Sequence, residues 1–356
     1  MRVLVLGATG NIGQQALEVI KQLKYQLVGI SFYKNNLSAL QINTPFRYSP
    51  INKINSNVSS YDELIKLSKP DIVINAIVGF AGLEATIVTI KNKKTLCLAN
   101  KESLVVAGQF ITKMANRNNV KIYPIDSEDS SIYQIISQNK NSEFKKLYIT
   151  ASGGPFYKHS LKKLSKATYK QAVNHPTWNM GAKISVDSAT LMNKCFEIIE
   201  TYWYFKTTKI EALYHPSSFI HAIVQYSKAK LMFACKPDMK ISIKQSLTMF
   251  RNHSKYVVTL NKNNKMILEK IDINKWLPIQ WAYEVIKRPS NSLSVILNAA
   301  NEEAFKLFSV GKIKYLQIIE IIKYSISKFT PVKVENISQI YAIDNNVRKF
   351  IKSVYN

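Results

Sequence analysis

MRVLVLGATGNIGQQALEVI, residues 1–20, reads as strand, turn and helix in immediate succession. Arg2–Leu6 is an apolar strand, GATGNIG (Gly7 to Gly13) a glycine turn, and Ile12–Leu23 a helix. Glycines at a strand–helix turn let the backbone approach a pyrophosphate, and the helix N-terminus favours its charge. The spacing G-x-x-G-x-x-G is a variant dinucleotide fingerprint, so Gly7, Thr9, Gly10, Asn11 and Ile12 are the expected cofactor contacts. An ordinary glycine-rich turn is the competing reading, and the strand before and helix after weigh against it. Beyond a second strand, Gln26–Ser31, comes Lys34-Asn35 and no ribose-binding acid. A cation there suits the 2′-phosphate of NADP. One more lysine in a lysine-rich chain is the alternative.

Working outward, short apolar runs alternate with helical stretches as far as residue 125. Asp71–Ile74, Thr95–Leu98 and Lys121–Ile125 read as further strands, and Tyr61–Leu67 as a helix. This rhythm predicts a parallel, doubly wound sheet. Residues 126–250 are mixed, with strands expected at Lys146–Thr150 and Phe219–Gln225. Residues 251–275 are polar and rich in Asn and Lys (Asn252, Asn261, Asn263, Asn264), which suggests a linker. From 276 to 356 helical patterns dominate, as in Ala299–Phe308 and Tyr315–Ser327. The expected class is α/β: an N-terminal Rossmann-type NADP-binding domain (1–125), an α+β domain (126–250) and a C-terminal helical domain (276–356).

The 356 residues carry 49 Lys and Arg against 23 Asp and Glu, a net charge of +26. The lysines are dispersed among Asn, Ile and Tyr, with no stripe interleaved with aromatics, so nucleic acid is not the expected partner. A basic surface does attract anionic substrates and cofactors. No apolar run reaches a membrane span. Met1-Arg2 leads straight into the first strand, so a cytoplasmic chain is expected. Cys97, Cys195 and Cys235 form neither a zinc pattern nor a disulfide framework.

The densest chemistry lies in Lys183 to Glu200, KISVDSATLMNKCFEIIE. It reads as a short strand through Ile184 and Val186, a turn at Asp187-Ser188, and a helix with Ser188 as N-cap. Asn193, Lys194 and Glu197 lie three and four residues apart, so they share one helical face. That pattern suits a phosphate at one end and a metal or proton at the other, whereas a capped helix with a surface ion pair is the bland reading. IDSED (Ile125 to Asp129) follows an apolar run, and on a continued strand Asp126 and Glu128 would point to one side. Carboxylates so placed repel unless a cation or proton joins them. With Glu197 as a third oxygen donor they would suit Mg²⁺ or Mn²⁺. AIVGFAGL (Ala76 to Leu83) and ANKES (Ala99 to Ser103) follow strands, where open α/β sheets bind ligands. TASGGPF (Thr150 to Phe156) is a donor-rich loop. HPTWNMG (His175 to Gly181), with Trp and Met between turn residues, could form a lid. LNAANEEA (Leu297 to Ala304) reads as structural.

Taken in order, GATGNIG, AIVGFAGL, ANKES, IDSE, SGGPF, HPTWNMGAKISVDSATLMNK, HPSSFIH, PDM and LNAANE resemble the 1-deoxy-D-xylulose 5-phosphate reductoisomerase family, from Met1 to about Ala304. The resemblance implies NADPH- and metal-dependent rearrangement and reduction of that sugar phosphate to 2-C-methyl-D-erythritol 4-phosphate. The cation would be Mg²⁺ or Mn²⁺, or Co²⁺, in a homodimer. By motif position Asp126, Glu128 and Glu197 become the metal ligands. Ser152, His175, Ser188, Asn193 and Lys194 become the phosphate pocket. Lys101 and Ser127 meet the reacting end, Trp178 and Met180 form the lid, and His221 stands near the active site. Ala99, Asn100, Glu102 and Gly181 join Lys34 and Asn35 as cofactor contacts.

The chain departs from the family pattern in places. Asp129 stands where the family has a histidine, Tyr33 where it has glycine before the Lys-Asn pair, and Ser217 and Cys235-Lys236 break the HPQS and PDM elements. An acyl-phosphate reductase, the rival enzyme, needs a cysteine nucleophile with a histidine base, and no such arrangement surrounds Cys195.

Overall fold

The structure, a computed structural model, describes residues 1–34, 36–51, 55–251, 255–259 and 267–355. Asn35, and Asn252, Asn261, Asn263 and Asn264 of the expected linker, lie outside the described residues. The chain forms two compact units. One comprises Met1–Ser103, Phe110–Gln134 and Asp238–His253, and the other Leu104–Gln109, Ile135–Pro237 and Ser254–Asn356. This division departs from the boundaries expected at 125, 250 and 275. Helix Met239–Leu247 joins the first unit because Ile243 and Leu247 complete its core with Ala16, Val19 and Ile20.

The first unit is built on a six-stranded sheet: β1 (Arg2–Leu6), β2 (Gln26–Ser31), β3 (Arg47–Tyr48), β4 (Ile72–Asn75), β5 (Thr95–Leu98) and β6 (Ile122–Pro124). Their order is β3-β2-β1-β4-β5-β6, and every pairing is parallel. Val3 pairs with Ile72 and Val5 with Ile74, and beyond half-buried Arg2 the central strands are buried, as a sheet covered on both faces requires. The Rossmann-type expectation therefore holds. The Gly7, Ala76, Ala99 and Ile125 turns all leave carboxyl ends of parallel strands, where ligands bind in such sheets.

The second unit holds another six-stranded sheet: β7 (Lys146–Ala151), β8 (Ile210–Tyr214), β9 (Ile220–Gln225), β10 (Lys230–Ala234), β11 (Val257–Thr259) and β12 (Glu269–Lys270), in the order β11-β10-β9-β7-β8-β12. Its pairings are antiparallel except β7 with β8. Parallel neighbours need a long crossover, and this one contains helices Ala182–Thr190 and Met192–Phe205. Both described strands of the expected linker, β11 and β12, are thus sheet edges. The C-terminal region is helical as expected, with Leu293–Ser309, Gln317–Lys328 and Ile337–Tyr355. Arg348 of the last helix pairs with Asp344 at 2.7 Å, Glu302 at 2.9 Å and Glu303 at 3.0 Å, fastening it to Leu293–Ser309.

Candidate active site

In the first unit, two glycines of the GATGNIG turn are fixed by geometry. Gly7 has φ +83°, and a Cβ there would lie 2.8 Å from the Ala76 oxygen. A Cβ on Gly13 would lie 2.2 Å from the Gly7 oxygen, so any side chain would force helix and strand apart. Gly10 caps helix Asn11–Gln22 with extended backbone and no capping side chain. The first amides of a helix have no partner within it, so Asn11 and Ile12, beside half-buried Thr9, offer an anion cradle that a pyrophosphate fits. The Gly7 amide donates to the Ser31 carbonyl (3.1 Å) and hydroxyl (3.0 Å), tying the turn to the end of β2. Lys34 is exposed beyond that strand, its Nζ 5.8 Å from the Tyr33 ring centroid.

Asn100 knits the two neighbouring loops together. Its buried side chain donates to the Ile77 (2.7 Å) and Gly79 (2.8 Å) carbonyls and to Glu102 (2.9 Å), and it caps helix Lys101–Arg117. Ala99 leads into this cap, its amide donating to the Asn75 carbonyl at 2.9 Å. Lys101 is buried and ion-paired with Asp126. The strand does not continue to Asp126 and Glu128. β6 stops at Pro124, and helix Ser127–Gln138 begins with the Ser130 amide donating to the Asp126 carbonyl at 2.8 Å. Asp126 thus precedes the helix and Glu128 stands in its first turn, where the Ser127 hydroxyl donates to the Glu128 carboxylate at 2.6 Å. Asp129 is fully buried.

In the second unit, Lys183–Asp187 is not a strand, and Ser188 is not an N-cap. Residues Ala182–Thr190 are helical, Leu191 adopts φ +62°, and a second helix runs Met192–Phe205. Polar contacts one turn apart favour this form: Lys183 pairs with Asp187, and the Ser185 hydroxyl donates to the Gly181 carbonyl at 3.0 Å. Ser188 falls in the last turn of the first helix. Asn193, Lys194 and Glu197 do share one face of the second. The Asn193 amide and the Lys194 ammonium both donate to Glu197, whose side chain is 2% exposed. Lys194 also donates to the Thr150 carbonyl at the end of β7.

Ser152 follows that strand. Its hydroxyl oxygen lies 2.8 Å from His175 Nε2 and accepts from the Gly154 amide at 3.0 Å. His175 Nδ1 accepts from the Thr177 (3.2 Å) and Trp178 (3.0 Å) amides, so the ring proton sits on Nε2 and is donated to Ser152. Burial pushes the imidazole down to about 4, so it is neutral near pH 7. Gly153 and Gly154 have φ +82° and +60°, and a Cβ on Gly154 would lie 3.0 Å from Ala189. That glycine lets the Ser152 loop lie against the Ser188 turn. Residues 174–181 form no regular element, and half-buried Trp178 sets its ring edge-on to His221 at 5.8 Å, while Gly181 is exposed. Four supporting residues were not expected: Thr150, Asp187, Asn301 and Tyr315. Asn301 lay within a motif read as structural, and Tyr315 carries no local signal at all.

Comparison with known proteins agrees along the chain. Family models of 1-deoxy-D-xylulose 5-phosphate reductoisomerase match residues 3–55 and 47–108, and models of its C-terminal domains match 122–205 and 235–350. The reductoisomerase of Malacoplasma penetrans is 44% identical, covering 98% of this chain and 94% of the relative. That of Mycoplasmoides gallisepticum is 42% identical over 100% and 99%. A Zymomonas mobilis reductoisomerase solved with NADPH superposes with a TM-score of 0.84 at 32% identity, covering 100% of this chain and 99% of that one. A DOX-P reductoisomerase solved with NADPH, fosmidomycin and magnesium gives 0.85 at 30% identity, covering 99% and 98%. The chain belongs to the 1-deoxy-D-xylulose 5-phosphate reductoisomerase family.

Proposed function

We propose that this enzyme, which converts 1-deoxy-D-xylulose 5-phosphate to 2-C-methyl-D-erythritol 4-phosphate with NADPH and a divalent cation, holds the cation with Asp126, Glu128 and Glu197. Ser152, Ser188, Asn193 and Lys194 take the substrate's phosphate. One observation carries the assignment: a single helical turn gathers a half-buried amide, Asn193, with a buried ammonium and a buried carboxylate, Lys194 and Glu197. A buried cluster of this kind costs desolvation and is a weak source of stability, so a binding role explains it better.

The donors fit the groups. All three proposed metal ligands are carboxylates, the oxygen chemistry preferred by Mg²⁺, and Mn²⁺ or Co²⁺ should substitute. When bound, the cation supplies a Lewis acid for the substrate's carbonyl and hydroxyl oxygens. The chain's own residues do the rest. Ser152 already accepts from His175 and Gly154, so its remaining proton is one to donate to an anion. Lys101, paired with Asp126, brings a cation to the reacting end with Ser127 beside it. The Gly7–Ile12 turn, with Lys34, Ala99, Asn100, Glu102 and Gly181, holds NADPH, Lys34 answering its 2′-phosphate. Trp178 and Met180 close over substrate and nicotinamide, excluding water from the transfer. Among the described residues, no helix is long and apolar enough to cross a membrane. We expect a cytoplasmic homodimer, which fractionation and sedimentation would check.

The reading is tested by incubating the protein with deoxyxylulose phosphate, NADPH and Mg²⁺ and identifying the product. Methylerythritol phosphate formed in step with NADPH consumed supports it, and NADPH left intact refutes it.

A further inference from the structure

Ser188 is bracketed by two contacts from the C-terminal helical region. On one side, the Asn301 amide donates to the Asp187 carboxylate at 2.9 Å, across 114 residues of sequence. On the other, the Tyr315 hydroxyl donates to the Ala189 carbonyl at 2.6 Å, across 126 residues. Both contacts are buried, and Asn301 and Tyr315 are 1% and 2% exposed. Ala189 lies in the last turn of helix Ala182–Thr190, where carbonyls lack intrahelical donors. Tyr315 therefore satisfies an orphan group beside Ser188. Its ring meets Phe156 edge-on at 4.9 Å, and Phe156 closes the loop that carries Ser152. Gly154 of that loop rests on the Ser188–Ala189 backbone.

We propose that Tyr315 and Asn301 are positioning residues for the phosphate pocket. Tyr315 holds the Ser188 turn by its hydroxyl and the Ser152 loop by its ring, and Asn301 fixes Asp187 so that the turn cannot rotate. The C-terminal helical region thereby sets affinity for the phosphate end of the substrate without touching it. This inference rests on the reading of Ser152 and Ser188 as phosphate ligands.

Tyr315→Phe removes one hydroxyl and keeps the ring on Phe156. Substrate KM should rise about three- to tenfold, the worth of one buried hydrogen bond. The dissociation constant for inorganic phosphate should rise by the same factor, while kcat and the KM for NADPH stay within about twofold. Asn301→Ser should act in the same direction. In a Ser188→Ala background the Tyr315→Phe penalty should largely vanish, because the hydroxyl it positions is gone. If Ser188→Ala itself leaves substrate and phosphate binding unchanged, the phosphate reading of Ser188 fails. If Ser188→Ala weakens binding but Tyr315→Phe does not, or if its penalty is the same with and without Ser188, the positioning role is overturned.

Discussion

Hydrogen bonds in the Gly7–Gly13 turn span at most 24 residues: Gly7 to Ser31, Gly10 to Gly7, and Gln14 to Ala8. Those around the Ser188 turn and its neighbours span 44 residues from Lys194 to Thr150, 114 from Asn301 to Asp187, and 126 from Tyr315 to Ala189. One region is built by its immediate chain, the other by partners recruited from far along it. The hydrogen bonding of the cofactor turn should therefore yield to changes nearby in the chain, whereas that of the phosphate pocket should yield to distant ones too.

Breaking the local side gives the largest expected effect. Gly13→Ala drives a Cβ into the Gly7 backbone at 2.2 Å. Overpacking of this kind costs about 1–3 kcal/mol or more, and NADPH binding should be lost to calorimetry while inorganic phosphate still binds. Equal loss of both ligands would mean that the two regions are not separable. Next comes Lys194→Ala. A charge-assisted contact is worth about 1.5–3 kcal/mol, so substrate affinity should fall roughly ten- to a hundredfold, with NADPH affinity unmoved. Weakening of both ligands would make Lys194 a structural residue.

In the phosphate pocket, His175 makes stability depend on pH. Its folded value, about 4, lies below the ordinary 6.5 because of burial. Between those values the unfolded chain binds more protons, so stability rises with pH through this window and is lost as pH falls from about 6.5 toward 4. Partial exposure makes the slope shallower than the full shift would give. Denaturant titrations should show His175→Gln flattening that loss, and an unchanged slope would leave His175 without this role. The smallest effect belongs to Lys34→Ala. An exposed charge contact is worth about 0.2–1 kcal/mol, so the preference for NADPH over NADH should narrow about two- to fivefold. An unaltered ratio of the two kcat/KM values would show that Tyr33, standing where the family has glycine, has displaced the contact.

The same contrast explains what could be read from the residues. β1, β2 and β5 run as expected because continuous apolar runs and glycine turns are local signals. Within the candidate site, the shared helical face of Asn193, Lys194 and Glu197 was legible from their spacing alone. Their local structure was not. Two apolar residues, Ile184 and Val186, imitate a strand, yet the Lys183–Asp187 pair and the Leu191 turn settle a helix–turn–helix. Asp126 and Glu128 looked like strand neighbours, but β6 ends at Pro124, Asp126 precedes the next helix and Glu128 lies in its first turn. Asp187, Asn301 and Tyr315 gain their meaning only through contacts that no window of sequence contains.

Metal removal tests whether Asp126, Glu128 and Glu197 hold a cation that turnover needs. NADPH consumption with deoxyxylulose phosphate is measured after chelation, then after adding Mg²⁺, for the native enzyme and for Glu197→Gln. We expect no turnover of the native enzyme in excess chelator and full recovery with the cation. Glu197→Gln should remain slower by roughly a thousandfold, since several kcal/mol of charge stabilisation are lost, with NADPH affinity unchanged. Full turnover in metal-free buffer, or a fully active Glu197→Gln enzyme, would contradict the assignment.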